Sequence, residues 1–176
     1  TDSACDLPFE LLGQNDVDVI GLIVNYNWKE YVEDNLKSVD ISSYYTSLKE
    51  GATPTTSQIT PNRFYDYFKP YLEKGMDILY VGFSSSLSGT YSTANVAKGM
   101  LQEEFPDREI LLVDSMCASA GFGLLVLKAA ELKREGYAAE EIAQKLEALK
   151  YNVNHIFTVD DLNHLKRGGR ISGFSA

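Results

Sequence analysis

Apolar positions fall into two rhythms along this chain. Residues 78–83, ILYVGF, make a short run between Gly75 and a cluster of serines, and this reads as a buried strand. Residues 18–26, 109–113 and 154–159 read as strands on the same grounds. Between these runs the spacing turns helical. Phe64, Phe68 and Leu72 stand at i, i+4 and i+8, so that segment has one apolar helix face. Thr60 as N-cap and Pro61 at the first helical position start it, and Pro70 is expected to shorten or kink it. Asp40 reads as the N-cap of a helix that Gly51 ends. Further helices are expected from about Pro8, over 91–104, over 116–136 and over 139–151. A short one follows Asp160 and is broken by Gly168 and Gly169. Residues 27–39 are mixed and charged, a small hairpin or a loop. Residues 1–8 are polar and turn-like, with Asp2 and Ser3 expected to be exposed.

Strands that alternate with helices imply an α/β fold whose parallel sheet carries helices on both faces. Such folds bind ligands at the carboxyl ends of their strands. Three polar loops are expected there: residues 53–60, 84–90 and 114–119. The loop 84–90 is the most distinctive, with Ser84, Ser85, Ser86, Ser88 and Thr90 between a strand and a helix. A helix N-terminus with free amides and adjustable hydroxyls suits an anion. The plainer reading is that these serines cap a helix and solvate a turn.

Composition narrows the classes. At 176 residues the chain is one domain, or one and the start of another, and 44% hydrophobic content supports a real core. A formal net charge of −9 argues against nucleic-acid binding. No apolar stretch is long enough to span a bilayer, the best candidate, 121–130, being broken by Gly123 and Lys128. The chain opens directly in TDSACDLP, with no secretory signal in view. Cys5 and Cys117 are the only cysteines, which fits a reducing cytoplasm.

Enzymatic motifs are incomplete. No phosphate-binding glycine motif is present. Gly82-Phe83-Ser84-Ser85-Ser86 resembles a nucleophile elbow, with Ser86 in place of the second glycine. A hydrolase would also need a base, and the only histidines are His155 and His164. Asp2, Asp114 and Asp160 are isolated acids better suited to capping than to a metal. Thr55, Thr56, Ser57 and Gln58 form a second hydroxyl-rich loop, either an ordinary lead into the Thr60 cap or one wall of a neutral hydrogen-bonding pocket. Lys166, Arg167 and Arg170 surround a Gly168-Gly169 break. They read either as a helix C-terminus complementing its dipole or as a hinge that brings Arg170 to a carboxylate.

Taken in order, TDSACDLP, ATPTTSQ, SSSLSGTYSTA, VDSMCASAGFG and LKRGGRIS resemble the DegV family of bacterial lipid-binding proteins over essentially the whole chain. The resemblance implies a Rossmann-like, parallel-sheet first domain over 1–176 of a two-domain cytoplasmic protein, with a long-chain fatty acid between the domains. It implies a carrier rather than an enzyme. The carrier presents the carboxylate to a separate ATP-dependent fatty-acid kinase for acyl-phosphate formation, feeding phospholipid metabolism. No cofactor or metal is implied beyond the bound lipid. Thr56 and Ser85 match the carboxylate ligands and Arg170 the nearby cation, with Ser84, Ser57 and Ser88 as lower-ranked neighbours. Family members usually carry a first strand before TDS and a second domain of roughly a hundred residues after GGRIS. Neither part is in this chain. The second domain brings a histidine ligand that neither His155 nor His164 matches. Physically, a tail of ~16 carbons offers on the order of 10 kcal/mol before ordering costs. Its buried carboxylate costs several kcal/mol unless hydrogen-bonded. A serine-hydrolase-like enzyme and an interaction module without a lipid ligand are the alternatives.

Overall fold

The computed structural model describes residues 1–34, 37–156, 158, 162–167, 169 and 171. The chain runs α1 (Phe9–Gln14), β1 (Ile23–Tyr26), β2 (Lys29–Val32), α2 (Ile41–Lys49), β3 (Thr55–Ser57), α3 (Pro61–Glu73) and β4 (Ile78–Gly82). It continues through α4 (Thr90–Glu104), β5 (Ile110–Asp114), α5 (Ser119–Arg134), α6 (Ala139–Leu149) and α7 (Leu162–Arg167).

The fold is mixed α/β, with β4 and β5 parallel and in register from Ile78↔Ile110 to Gly82↔Asp114. Strand alternation sends neighbouring side chains to opposite faces. Ile78, Tyr80, Ile110 and Leu112 belong to a core with α3 and α4, built on Phe64, Phe68, Ala97 and Leu101. Leu79, Val81 and Val113 belong to a second core with α5 and α6, built on Phe122, Leu125, Ile142 and Leu146. Tyr80 anchors the first core, its ring 5.2 Å from Phe64 edge-on and 6.0 Å from Phe68. The sheet thus carries helices on both faces.

Several local expectations change in three dimensions. Residues 18–26 do not form one strand of the parallel sheet. Ile20 makes a single parallel bridge to Asp2, and only Ile23–Tyr26 forms a ladder. That ladder is antiparallel, in a separate sheet ordered β2-β1-β3. Residues 27–39 do form a hairpin at their start, closed by Asn27 and Trp28, both at positive φ as a type I′ turn requires. Thr60 caps α3 by accepting from the Arg63 amide at 3.3 Å, and the helix continues past Pro70 to Glu73. α5 starts at Ser119 rather than Met116, because Met116 is left-handed at φ 53° and the N-cap Ala118 is extended at φ −126° and ψ 159°. The strand expected over 154–159 is not seen over 154–156, where Ile156 is fully exposed. Phe157, Val159, Asp160, Gly168 and Arg170 lie outside the described residues.

Asp2 and Ser3 are buried, not exposed. They run between Ile20 and the end of β4: Ile20 N–H donates to Thr1 O, Ser3 N–H to Ile20 O, and the Thr1 hydroxyl to Val81 O. Below this point the outer edge of β4 borders a cavity of about 490 Å³, walled by Val17, Tyr67, Leu79, Val126 and Ile142 among others.

Candidate functional site

The site expected at the carboxyl ends of β4 and β5 begins with a buried acid. One carboxylate oxygen of Asp2 accepts from the Tyr80 hydroxyl at 2.6 Å and the Phe83 amide at 2.9 Å. The other accepts from the Ala4 amide at 3.1 Å. Burial raises the Asp2 pKa, with these hydrogen bonds opposing the rise. Burial and the Asp2 charge push Tyr80 well above its usual value. Asp2 therefore fixes the chain at Phe83, one residue before the serine loop.

That loop is held by its own groups. Ser84 is buried; its amide donates to Cys117 O, its carbonyl accepts from the Leu87 and Ser88 amides, and its hydroxyl accepts from the Ser86 amide. The Ser85 amide donates to Asp114 Oδ1 at 3.2 Å, and the Met116 amide shares that oxygen at 3.0 Å. The Ser88 hydroxyl accepts from the Thr90 amide and pairs with the Thr90 hydroxyl at 2.9 Å, satisfying the first amide of α4, whose N-cap is Gly89. The amides from Ser84 to Ser88 are therefore engaged internally, and the expected cradle of free loop amides is not formed. The hydroxyls of Ser85 and Ser86 are exposed and have no hydrogen-bond partner among the described residues. Among the described residues no base is hydrogen-bonded to them, which weakens the nucleophile-elbow reading.

The threonine loop meets the serine loop at α4. The Thr93 hydroxyl donates to Ile59 O at 2.6 Å, tying the end of that segment to the first turn of α4. Gln58 lies over Gly89 so closely that a Cβ there would sit 1.9 Å from Gln58 Oε1. Thr56 and Ser57 are adjacent strand residues and take opposite faces. Thr56 shares a face with Val24 and Tyr31, and its hydroxyl is exposed without a partner among the described residues. Ser57 shares the other face with Ile23 and Val32, and its hydroxyl accepts from Asn25 Nδ2 at 3.1 Å. Of the sequence candidates, Thr56 and Ser85 keep unengaged hydroxyls, Ser84, Ser57 and Ser88 serve the fold, and Arg170 lies outside the described residues. The sequence reads Asp114 as an isolated capping acid and Gln58 as part of the threonine loop, and neither as a carboxylate ligand. The strand-end position of Asp114, opposite Gly82, was the available signal.

Other chemistry is thin here. Cys5 and Cys117 are buried, and burial raises both thiols, so neither is set up as a nucleophile. No cluster of three or more His, Cys, Asp or Glu suited to a metal exists among the described residues. His155 packs where a Cβ on Gly121 of α5 would fall 2.8 Å from its own Cβ. No helix among the described residues is long and apolar enough to cross a membrane.

Comparison with known proteins decides the family. A family model described as "Uncharacterised protein, DegV family" matches residues 1–176. The chain belongs to the DegV family. A DegV domain-containing protein of Clostridium perfringens is 43% identical over 176 residues, covering 100% of this chain and 60% of that protein. Among solved structures, a DegV family protein from Thermus thermophilus, named for fatty-acid binding, has a TM-score of 0.84 at 37% identity. It covers 99% of this chain and 60% of its own. DegV from Bacillus subtilis, named a fatty acid binding protein, has a TM-score of 0.80 at 32% identity, covering 97% and 59%. This DegV chain therefore spans about 60% of the length of the relatives it matches.

Proposed function

We propose that the intact protein binds one long-chain fatty acid, with the carboxylate received by the hydroxyls of Thr56 and Ser85 and with Arg170 as the nearby cation. The observation that carries this reading is the division of the hydroxyls. Those of Ser84, Ser57 and Ser88 are engaged in the fold, whereas those of Thr56 and Ser85 are exposed and unengaged. Solved relatives named for fatty-acid binding support the ligand class. Neutral donors suit a carboxylate that must be desolvated yet stay reactive, because they offset its burial without a closed ion pair. Presentation of the bound acid to a separate ATP-dependent kinase, in the cytoplasm, rests on the family resemblance alone.

The same reading makes this chain the first domain of a two-domain protein. An extended segment preceding Thr1 would lie in the groove beside β4, continuing the path of residues 1–3 between Ile20 and the strand edge. It would complete the ladder that β4 leaves open on that side.

Native mass spectrometry with lipid extraction on the intact protein tests the proposal. One co-purifying fatty acid per chain is expected. A protein that emerges empty and also rejects added fatty acids would overturn it. Labelling of Ser84, Ser85 or Ser86 by a serine-reactive fluorophosphonate would favour the hydrolase alternative instead.

A further inference from the structure

Asp114 stands at the strand end beside the serine loop, where the sequence placed the loop 114–119. It ends β5 directly beside Gly82, the end of β4, so the two strand ends open into neighbouring loops. Its Oδ1 bridges the amide of Ser85 across the loop and the amide of Met116 just after the strand. Met116 sits at φ 53°, a turn that the Asp114 side chain closes. The Ser85 amide is thereby withdrawn from any ligand, and the residue is fixed with its hydroxyl left over. Asp114 has no cationic partner among the described residues, and its carboxylate stands one hydrogen bond from Ser85.

We infer that Asp114 is a positioning and selectivity residue of the head-group site: it aims the Ser85 hydroxyl at the ligand and disfavours head groups of higher charge than a carboxylate. This rests on the fatty-acid reading above. A fixed carboxylate beside the ligand repels a phosphate-like dianion more strongly than a singly charged acid, since like-charge repulsion scales with both charges. The site would thus hold a carboxylate and resist a phosphorylated head group.

The test uses the intact protein as wild type, Asp114→Asn and Asp114→Ala. It measures equilibrium binding of palmitic acid and of hexadecyl phosphate, with amide hydrogen exchange at Ser85 and Met116. The asparagine oxygen still accepts from both amides, so Asp114→Asn should keep palmitic-acid affinity within about threefold and bind hexadecyl phosphate about tenfold more tightly. Asp114→Ala should speed exchange at both amides and weaken palmitic acid by about tenfold or more. Wild-type palmitic-acid affinity in Asp114→Ala would overturn the positioning role. Unchanged hexadecyl phosphate binding in Asp114→Asn would overturn the selectivity role. A wild-type protein that binds neither ligand would overturn the fatty-acid reading and the selectivity role with it. The exchange data would still decide whether Asp114 holds Ser85.

Discussion

Replacing Asp2 with alanine should destabilise the fold by about 2–4 kcal/mol, although the residue sits at the second position of the chain. Two donors lose their acceptor, the buried Tyr80 hydroxyl at 2.6 Å and the half-buried Phe83 amide at 2.9 Å, which is held at the end of β4. Each unsatisfied buried group costs about 1–3 kcal/mol. The Ala4 amide is half-buried and can turn to water, so it adds little. Against this loss stands the desolvation of Asp2 itself, already visible in its raised pKa and returned when the carboxylate is removed. Urea denaturation is the assay: the midpoint should fall with an unchanged slope, and the melting temperature should drop by roughly 5–15 °C. Tyr80→Phe is the matched control. It keeps the ring against Phe64 and Phe68, removes one donor, and should cost about 1 kcal/mol. A midpoint for Asp2→Ala equal to wild type would refute the claim that this acid staples the chain start to β4.

The glycines divide by what opposes them. Gly21→Ala would set a Cβ 2.1 Å from the Glu33 carbonyl oxygen and should cost about 1–3 kcal/mol in urea denaturation. Gly89→Ala meets only the flexible end of Gln58 and should change stability by less than about 0.5 kcal/mol. Among the hydroxyls, Thr56→Ala and Ser85→Ala should each weaken fatty-acid binding to the intact protein by about tenfold, read by competition fluorescence. Ser57→Ala should leave binding unchanged, and Ser88→Ala should lower stability by about 1 kcal/mol because the Thr90 amide and hydroxyl lose their partner. Asp40 caps α2, and hydrogen bonds from the Ser43 hydroxyl and amide lower its pKa. Its contribution is therefore complete above the unfolded carboxylate pKa and is lost as pH falls through the lowered folded value. The stability gap between wild type and Asp40→Ala should narrow in acid, and a gap that stays constant with pH would count against this cap.

Local signals in the chain sufficed for the elements around the site. The Thr60-Pro61 start and the i, i+4, i+8 apolar row of α3 concern neighbours within a few turns, and so does the short β-rich run of β4. Residues 18–26 misled for the opposite reason. A β-rich run says that a strand can form, whereas its partner and direction depend on residues far along the chain, here Lys29–Val32 and Thr55–Ser57. The opposite faces of Thr56 and Ser57 follow from strand period alone once residues 55–57 are known to be a strand, and nothing local announced that.

The order of the motifs by itself determined the family, the α/β class and the two hydroxyl loops, because periodicity, caps and motif spacing are properties of neighbouring residues. Only the tertiary structure decided which groups are engaged. Asp2 reads as a solvated terminal acid and is buried, because Tyr80 and Phe83 arrive from 78 and 81 residues away to donate to it. Ser84, Ser85 and Ser88 are indistinguishable by composition. What separates them is that Cys117, Asp114 and Thr90 supply partners to particular atoms and leave the Ser85 hydroxyl without one. A hydrogen bond is satisfied or left open by what folding brings across the gap, and that is a property of the packed chain.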